Sequence, residues 1–292
     1  MSSRTLGLAA LIILGLAASA IFLAESHTGL AVSPPEQRGI SSENQALYAE
    51  ISTTSPRQDS LLIASSTEKL NLPILVYHIV RPSYPSDSGA VRAIALTPET
   101  FDAEMRYLRT AGYDIMRFSD LEAYFRNGTP LPAKPIILSF DDGWSDQFTY
   151  AFPILEKYHY TATFFVFTNA IGRPGFLSWD DLRQMLAAGM TVGDHTRSHP
   201  YLTGISDPSV LWDEIDGSKQ TLEKRLGITV NEFAYPFGVY TPTIQALVEK
   251  AGYQSARGDY YSGEQTANRL YALSAINAPT TTALFEKKFP PF

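Results

Sequence analysis

Residues 135–143 read PIILSFDDG, an apolar run that ends in two adjacent carboxylates and a glycine. Short, continuous apolar runs of this kind are typical of strands that are buried on both faces of a sheet. Residues 191–199 read TVGDHTRSH, so a second short apolar run is followed by two histidines four positions apart. Each polar group therefore stands at the end of a predicted strand.

These two polar groups contain the donor atoms of a metal site. One carboxylate and two imidazoles suit a divalent cation and leave positions open for water and substrate. The second carboxylate would then be free to act as a base beside that water. Each group alone has a simpler interpretation, because Asp-Asp-Gly is a common turn and paired histidines occur on ordinary surfaces. Their presence together in one chain favours the metal site.

From residue 71 onward the sequence alternates between apolar runs and helical patterns. The predicted strands cover residues 74–79, 136–140, 162–167, 191–193, 232–235 and 271–276. The predicted helices begin at Thr97-Pro98, Ser119, Ser178 and Thr241-Pro242, where a capping residue precedes an apolar periodic stretch. This alternation favours a parallel sheet covered by helices, either open or closed into a barrel. No GxGxxG motif follows the first strand, so dinucleotide binding has no support.

The two polar motifs resemble those of the polysaccharide deacetylase family, the NodB-homology domain, whose members carry [TS]FDDG and H[ST]xxH. The segments LPILVYH (72–78) and FAYPFG (233–238) are similar to those of a branch that includes poly-N-acetylglucosamine deacetylases. The resemblance covers roughly residues 72–280. It implies an α/β fold, a distorted (β/α) barrel of about seven strands. It also implies a hydrolase that removes N-acetyl groups from N-acetylglucosamine units of a cell-surface or cell-wall polysaccharide.

The resemblance implies different roles for the two aspartates. It assigns Asp141 to the catalytic base, and it assigns Asp142, His195 and His199 to the metal. Zinc is the first choice of cofactor, and Co²⁺, Ni²⁺ or Mn²⁺ suit the same ligands. Turn capping is the alternative role for the aspartates, and a surface turn is the alternative for the histidines.

The departing amine needs a proton, and histidine is the natural donor near neutral pH. Many family members place this histidine near the C-terminus, but no histidine follows His199 here. His27 lies in the predicted export segment or linker, and His159 lies at a polar helix end. This leaves His78, at the end of the first predicted strand, as the candidate proton donor. In the poly-N-acetylglucosamine branch the acid-bearing strand stands at the front of the domain, which agrees with His78. A packed strand-end histidine is the alternative.

The segment after the strand at 232–235 is expected to face the substrate. The backbone N–H of Tyr235 could donate to an oxyanion. Pro236, Phe237 and Trp179 offer flat apolar surfaces on which sugar rings could stack. Ordinary core packing is the alternative for these side chains.

One departure from the family pattern concerns the catalytic base. The family motif Arg-x-Pro-Phe/Tyr has Ala234 at its first position here, so the arginine that commonly pairs with the base is absent. Arg173 or Arg257 could replace it, or Asp141 could lack such a partner.

Composition restricts the class of protein. The chain has 292 residues, of which 45% are hydrophobic and 18% charged, which suits one large domain with additional segments. Its net charge is −7 and no basic block stands out, so a nucleic-acid partner is not expected. The absence of cysteine excludes disulfides, thiolate ligands, a cysteine nucleophile and a lipoprotein anchor.

The N-terminal part of the sequence differs from the rest. Residues 1–24 are predicted to form a signal peptide or an uncleaved N-terminal membrane anchor, because a long apolar stretch follows Arg4. Residues 25–70 are predicted to be a largely disordered linker, and residues 71–292 the catalytic domain. The protein is therefore expected to be exported. It would be extracellular, in the cell envelope, or membrane-anchored with the catalytic domain outside the cytoplasm.

Two other functions are compatible with the sequence. The missing arginine favours a weakly active or inactive carbohydrate-binding relative, although the intact Asp141 argues against it. A metal amidohydrolase that acts on a non-polymeric acylamide is the second alternative. If the protein is a polysaccharide N-deacetylase, an N-acetylated polysaccharide is its expected partner.

Overall fold

The computed structural model describes residues 69–259 and 262–291. The predicted export segment (residues 1–24) lies outside the described residues, as does the predicted linker (25–70) except for its last two positions. Among the described residues, no helix has both the length and the apolar character that crossing a bilayer requires.

The described part of the chain alternates between strands and helices, as the sequence predicts. The strands are β1 (Leu70–Asn71), β2 (Ile74–Tyr77), β3 (Ile79–Val80), β4 (Ala95–Leu96), β5 (Asp114–Met116), β6 (Pro135–Phe140), β7 (Thr163–Val166), β8 (Thr191–Asp194), β9 (Glu232–Ala234), β10 (Ser255–Asp259), β11 (Glu264–Gln265), β12 (Leu273–Ser274) and β13 (Ile276–Asn277). The helices are α1 (Gly89–Ile94), α2 (Pro98–Thr110), α3 (Phe118–Asn127), α4 (Phe152–Tyr158), α5 (Trp179–Ala187), α6 (Pro208–Trp212), α7 (Ser218–Leu226), α8 (Pro242–Lys250) and α9 (Thr282–Lys288). Two π-helical turns, Gln147–Ala151 and Asp213–Gly217, precede α4 and α7.

The main sheet is parallel and nearly closed. Its strands run in the order β12-β10-β9-β8-β7-β6-β2-β13, and β5 pairs with the first half of β6. Only Ala275 separates β12 from β13, so the two ends of this path are neighbours in the chain. If β12 and β13 are counted as one interrupted strand, the barrel has the seven strands that the family resemblance implies. The predicted distorted (β/α) barrel is confirmed.

The helix starts follow from capping side chains in three of the four predicted cases. The side chains of Thr97, Ser178 and Thr241 accept hydrogen bonds from backbone N–H groups in the first turns of α2, α5 and α8. The predicted N-cap at Ser119 is wrong by two residues, since the N-cap is Arg117. α3 begins at Phe118, because the Asp120 carboxylate accepts the backbone N–H of Arg117 at 2.8 Å.

The two faces of the parallel strands contribute to separate cores. Outward-facing residues such as Leu75, Tyr77 and Phe164 pack under the helices, whereas Val76 and Phe165 on the alternate face belong to a smaller inner core. Gly193 lies beside that inner core, and a Cβ atom there would come within 2.5 Å of the Phe165 ring. The barrel interior is therefore filled by side chains, with glycine where the aromatic ring needs room.

The strands β1, β4, β5, β10 and β11 were not predicted from the sequence, and β10 is the most informative of these omissions. β10 (Ser255–Asp259) reads SARGD, which contains no apolar run, although it lies in the middle of the sheet between β9 and β12. Burial on both faces is achieved there with small residues and one arginine, so the pattern that marks the other strands is missing.

Candidate active site

Three side chains converge at the carboxyl end of the barrel. Asp142 follows β6, and His195 and His199 follow β8. The Nε2 atoms of the two histidines are 3.1 Å apart, and Asp142 Oδ1 lies 3.8 Å from His195 Nε2 and 3.4 Å from His199 Nε2. One ligand atom from each residue lies within 4.8 Å of the other two. The structure thus brings together the three residues that the sequence predicted as metal ligands.

The turn after β6 directs Asp142 toward this cluster. Asp142 and Gly143 both adopt left-handed backbone conformations, with φ of 70° and 72°. A side chain at Gly143 would also collide with Val166, whose Cγ1 would lie 2.9 Å from the added Cβ. Trp144 Nε1 donates a hydrogen bond of 3.0 Å to Asp142 Oδ2. The other carboxylate oxygen, Oδ1, is therefore left to face the histidines.

The loop after β8 fixes the tautomer of His195. Its Nδ1 lies 2.7 Å from the backbone oxygen of Ala234, and because a carbonyl can only accept, Nδ1 carries the proton. The lone pair of His195 is then on Nε2, the atom that faces the cluster. Thr196 and His199 have φ values of 73° and 61°, so the loop turns twice through the left-handed region.

Buried acids stabilise the strained loop from below. The Glu214 carboxylate accepts the backbone N–H groups of Arg197 and Ser198 at 3.1 and 2.9 Å, and it accepts the Ser198 hydroxyl at 2.5 Å. Asp194 accepts the Thr196 N–H at 2.7 Å and the Tyr253 hydroxyl at 2.6 Å. Carboxylates thus take the place of sheet hydrogen bonds where the chain leaves β8.

Asp141 lies beside the cluster and is fully buried. Its Oδ2 is 4.0 Å from His195 Nε2 and 4.0 Å from His78 Nε2, and its Oδ1 accepts a hydrogen bond from Arg257 Nη2. Burial alone raises the pKa of Asp141, but the charge of Arg257 and the neighbouring His195 and His78 outweigh it, so the net shift is downward. The carboxyl is therefore ionised at neutral pH.

Arg257 pairs with Asp141 in place of the arginine that the family motif has where this chain has Ala234. It comes from β10, the strand after the one that carries Ala234, and its guanidinium lies 4.5 Å from the centre of the Phe165 ring. Of the two candidates named from the sequence, Arg257 pairs with Asp141, whereas Arg173 is exposed in the loop before α5.

The segment after β9 differs in part from expectation. The Tyr235 N–H donates to the Arg257 carbonyl at 3.0 Å, so it is not available as an oxyanion donor in this arrangement. Its ring is buried, and its hydroxyl donates to the Tyr271 carbonyl at 3.0 Å. Phe237 is partly exposed and its ring centre lies 4.7 Å from that of His199, whereas Pro236 is buried. The hydrogen bond of the Tyr235 N–H therefore argues against its predicted role as an oxyanion donor.

Trp179 lies at the start of α5. Its ring packs against the outer core beneath Arg225, whose guanidinium carbon is 4.7 Å from the ring centre. These contacts correspond to the packing alternative for this residue rather than to sugar stacking.

Besides Phe237, four aromatic rings that were not singled out from the sequence lie around the cluster. Tyr201 stacks on Phe237 with ring centres 3.9 Å apart, and on the other side Trp144 stacks on Phe176 at 4.7 Å. Phe167 connects Phe176 to His199, with ring centres 5.5 Å from each. No periodic pattern marks these rings in the sequence, because they lie in loops.

The electrostatic state of the histidines fits a cation. Burial lowers the pKa of His195, and burial together with the neighbouring His195 lowers the pKa of His199 to about 4. Both imidazoles are therefore neutral at neutral pH, which is the form in which imidazole binds a metal. Two neutral nitrogen donors and one carboxylate oxygen that face a common centre form a suitable ligand set for a zinc-class ion.

Comparisons with known proteins agree with this geometry. The family model for polysaccharide deacetylase matches residues 128–256, which include both polar motifs. The chain is similar to YxkH of Bacillus subtilis (strain 168), which is named for the same family, at 26% identity over 75% of this chain and 76% of that protein. It is also similar to a poly-beta-1,6-N-acetyl-D-glucosamine N-deacetylase of Staphylococcus epidermidis, at 27% identity over 64% of this chain and 72% of that protein.

A solved structure shares the fold. The deacetylase PplD of Streptococcus pyogenes, determined in complex with acetate, superposes with a TM-score of 0.70 at 26% identity and covers 77% of this chain and 100% of that one. The family resemblance found in the sequence is confirmed. Residues 128–256 match the polysaccharide deacetylase family model, and the class of protein that these likenesses indicate is an enzyme, a polysaccharide deacetylase.

Proposed function

We propose that this protein is a metal-dependent N-deacetylase of a polysaccharide that contains N-acetylglucosamine. The observation that carries the proposal is the position of Asp141. Its carboxylate lies beside the converging Asp142, His195 and His199, is ionised through Arg257, and has His78 at 4.0 Å. A base, a ligand set and a proton donor are thus adjacent, as the hydrolysis of an amide requires.

In this proposal Asp142, His195 and His199 hold a divalent ion. When bound, such an ion lowers the pKa of a coordinated water and polarises a carbonyl group. Asp141 accepts a proton from the attacking water at Oδ2, the oxygen that faces the cluster. Arg257 holds Oδ1 and keeps Asp141 ionised and oriented, so the base does not have to rearrange during the reaction.

His78 donates a proton to the departing amine. It follows β2, adjacent to β6 in the sheet, and its side chain is 18% exposed, so it faces the cleft rather than the core. Since Asp141 and His78 lie on neighbouring strand ends, a proton could be taken from water at one and given to nitrogen at the other.

The choice of substrate rests on the relatives and on the rim of the site. A relative is named for poly-beta-1,6-N-acetyl-D-glucosamine, and partly exposed rings of Tyr201, Phe237, Trp144 and Phe176 stand around the cluster. Flat aromatic faces suit the apolar faces of sugar rings. Catalysis outside the cytoplasm, with the N-terminal segment as export signal or membrane anchor, belongs to the same proposal.

The alternative of an inactive carbohydrate-binding relative loses its main motivation. That interpretation depended on the arginine missing at Ala234, and Arg257 supplies the same guanidinium from β10. A small acylamide as substrate remains the second candidate, and the choice of substrates in the test separates it from the first.

The test is the release of free amine from a panel of acetylated compounds. Poly-N-acetylglucosamine, chitin oligomers, peptidoglycan and the N-acetylglucosamine monomer would be treated with the purified protein. Release from a polymer should stop with chelator and return with added Zn²⁺ or Co²⁺. His199→Ala should lose bound metal and activity together. Asp141→Asn should keep the metal, while its rate falls about 10²–10⁴-fold because the base is lost.

Three outcomes would contradict the proposal. The metal-loaded protein could release no amine from any compound, which would return the interpretation to a binding role. It could prefer the monomer, which would favour the small-acylamide alternative. Finally, equal metal loss in Asp141→Asn and Asp142→Asn would show that the roles of the two aspartates are wrongly divided.

A further inference from the structure

Gln147 is fully buried and begins the π-helical turn that follows the Asp142 turn. Its Nε2 donates hydrogen bonds to two backbone carbonyls, those of His78 at 2.8 Å and Asp141 at 2.6 Å. Because a carbonyl can only accept, the amide must present its nitrogen to both, and its orientation is fixed. One side chain thus joins the backbones of two residues that are far apart in sequence.

These two bonds lie where the sheet itself stops. The last residue pair between β2 and β6 is Tyr77 with Phe140, and the Asp141 N–H still donates to the Tyr77 carbonyl at 2.9 Å. His78 and Asp141 follow directly after this pair. Gln147 therefore connects the segments that follow β2 and β6, beyond the last residue pair of these strands. The connected residues are those whose side chains face each other, with His78 Nε2 4.0 Å from Asp141 Oδ2.

The neighbouring residue strengthens the same connection. Asp146 Oδ1 accepts the backbone N–H of Val80 at 3.1 Å, so consecutive side chains bind the strand at residues 78 and 80. Within the described residues, Gln147 Oε1 has no hydrogen-bond partner. An unpaired buried oxygen is destabilising. The Gln147 side chain thus makes both of its donated hydrogen bonds, although its own oxygen accepts none among the described residues.

We infer that Gln147 is a positioning residue for deacetylation, which sets the separation between His78 and Asp141 through their backbones. The inference rests on the proposed roles of these two residues as acid and base. The hydrogen bonds of Gln147 go to the backbones of His78 and Asp141, so its effect should be on the alignment of the pair and not on metal or substrate binding.

The test is the isosteric substitution Gln147→Met, which keeps the volume and removes both bonds. We expect kcat to fall about tenfold to hundredfold, the range that a misplacement near 1 Å can cause. KM should stay within about twofold, since the substrate contacts are unchanged. Metal content should equal that of the wild-type protein. Gln147→Leu also removes both donated bonds, so it should show the same loss of kcat if the methionine variant folds poorly.

Gln265 provides a matched control. It is also buried, and its Nε2 also donates to two backbone carbonyls, those of Leu72 at 3.1 Å and Ser274 at 2.8 Å. Leu72 precedes β2, whereas His78 follows it, so this bridge lies at the opposite end of the strand. Gln265→Met should lower the thermal midpoint at least as much as Gln147→Met, because it also loses a bond from the Ser274 N–H. The kcat of its folded fraction should be unchanged.

A second readout does not depend on turnover. In protein labelled with ¹⁵N-histidine, Gln147→Met should shift the side-chain resonances of His78, and Gln265→Met should not. An unchanged kcat in Gln147→Met, equal kcat losses in both variants, or unmoved His78 resonances would overturn the inference. If the wild-type protein releases no amine from any substrate, the proposed function fails, and the histidine resonances alone then decide whether Gln147 positions His78.

Discussion

The inner and outer faces of the barrel sheet are built on different principles. The outer face carries large rings such as Tyr77, Phe140 and Phe164, which stack on one another under the helices. The inner face has mostly smaller side chains around Phe165, and it contains the buried guanidinium of Arg257. Packing thus fills the outside, whereas the inside also has to hold the charge that the active site requires.

A buried acid on each face makes the difference concrete. Asp141, at the end of β6, is paired with Arg257, and its pKa is lowered despite complete burial. Glu104, on α2, accepts a hydrogen bond from the Tyr77 hydroxyl in the outer layer, and burial raises its pKa to about 8 even though that hydrogen bond opposes the shift. The same kind of group is therefore charged at the site and neutral in the packing layer at pH 7.

Removing the inner charge should have the largest effect. Arg257→Gln leaves the Asp141 carboxylate buried without its cation, and breaking a buried ion pair from one side costs about 3–5 kcal/mol. We expect that loss in the free energy of unfolding by urea at pH 7. Deacetylation should fall sharply in the folded fraction, since the guanidinium no longer opposes protonation of Asp141.

The matched control is an ion pair on the surface. Arg183 Nη1 lies 2.5 Å from Asp180 Oδ1, with both side chains largely in solvent. Arg183→Gln should cost no more than about 1 kcal/mol. Similar losses of unfolding free energy in Arg257→Gln and Arg183→Gln would show that the ion pair in the barrel interior contributes no more to stability than the pair on the surface.

The arginine also shows what the sequence can and cannot predict. The apolar runs of β2, β6 and β7 predict buried strands, and the motifs at 139–143 and 195–199 predict which polar groups lie at their ends. β10 has no such run, because the inside of the barrel accepts Arg257 next to small residues. Arg257 could be named from the sequence only as one of two candidates. Gln147 gives no signal at all, since its bonds are to backbone carbonyls, whose positions depend on the tertiary fold.

On the outer face, removal of the acid should stabilise the protein. The unfolded chain ionises Glu104 near its ordinary pKa of 4.5, whereas the folded protein keeps the proton until about pH 8. The unfolded state therefore binds fewer protons between these values, and the free energy of unfolding falls as the pH rises through that window. Glu104→Gln resembles the protonated form, so it should gain about 3 kcal/mol at pH 7 and little below pH 4.5.

Urea unfolding at several pH values would measure this difference. Glu156→Gln, on the exposed side of α4, is the control and should follow the wild-type pH dependence. A constant difference between Glu104→Gln and wild type from pH 4.5 to pH 8 would mean that Glu104 is ionised in the folded protein. The contrast between the two buried acids would then be lost.

The smallest expected effect concerns space rather than charge. Gly193→Ala would place a Cβ 2.5 Å from Cδ1 and Cε1 of Phe165 and 3.2 Å from Thr163 Cγ2. Phe165 is confined by the Arg257 guanidinium, so the ring cannot move away freely. Overpacking of this kind costs about 1–3 kcal/mol, and we expect about 2 kcal/mol here. Gly204→Ala is the control, because no atom lies within 4 Å of its added Cβ.

Since β8 leads directly into His195, the strain in Gly193→Ala should also displace that ligand. Metal affinity, measured by titration of the metal-free protein, should then fall together with stability. If Gly193→Ala matches Gly204→Ala in both measurements, the inner face has room for the added methyl group, and rigidity of the barrel interior is not what fixes the site.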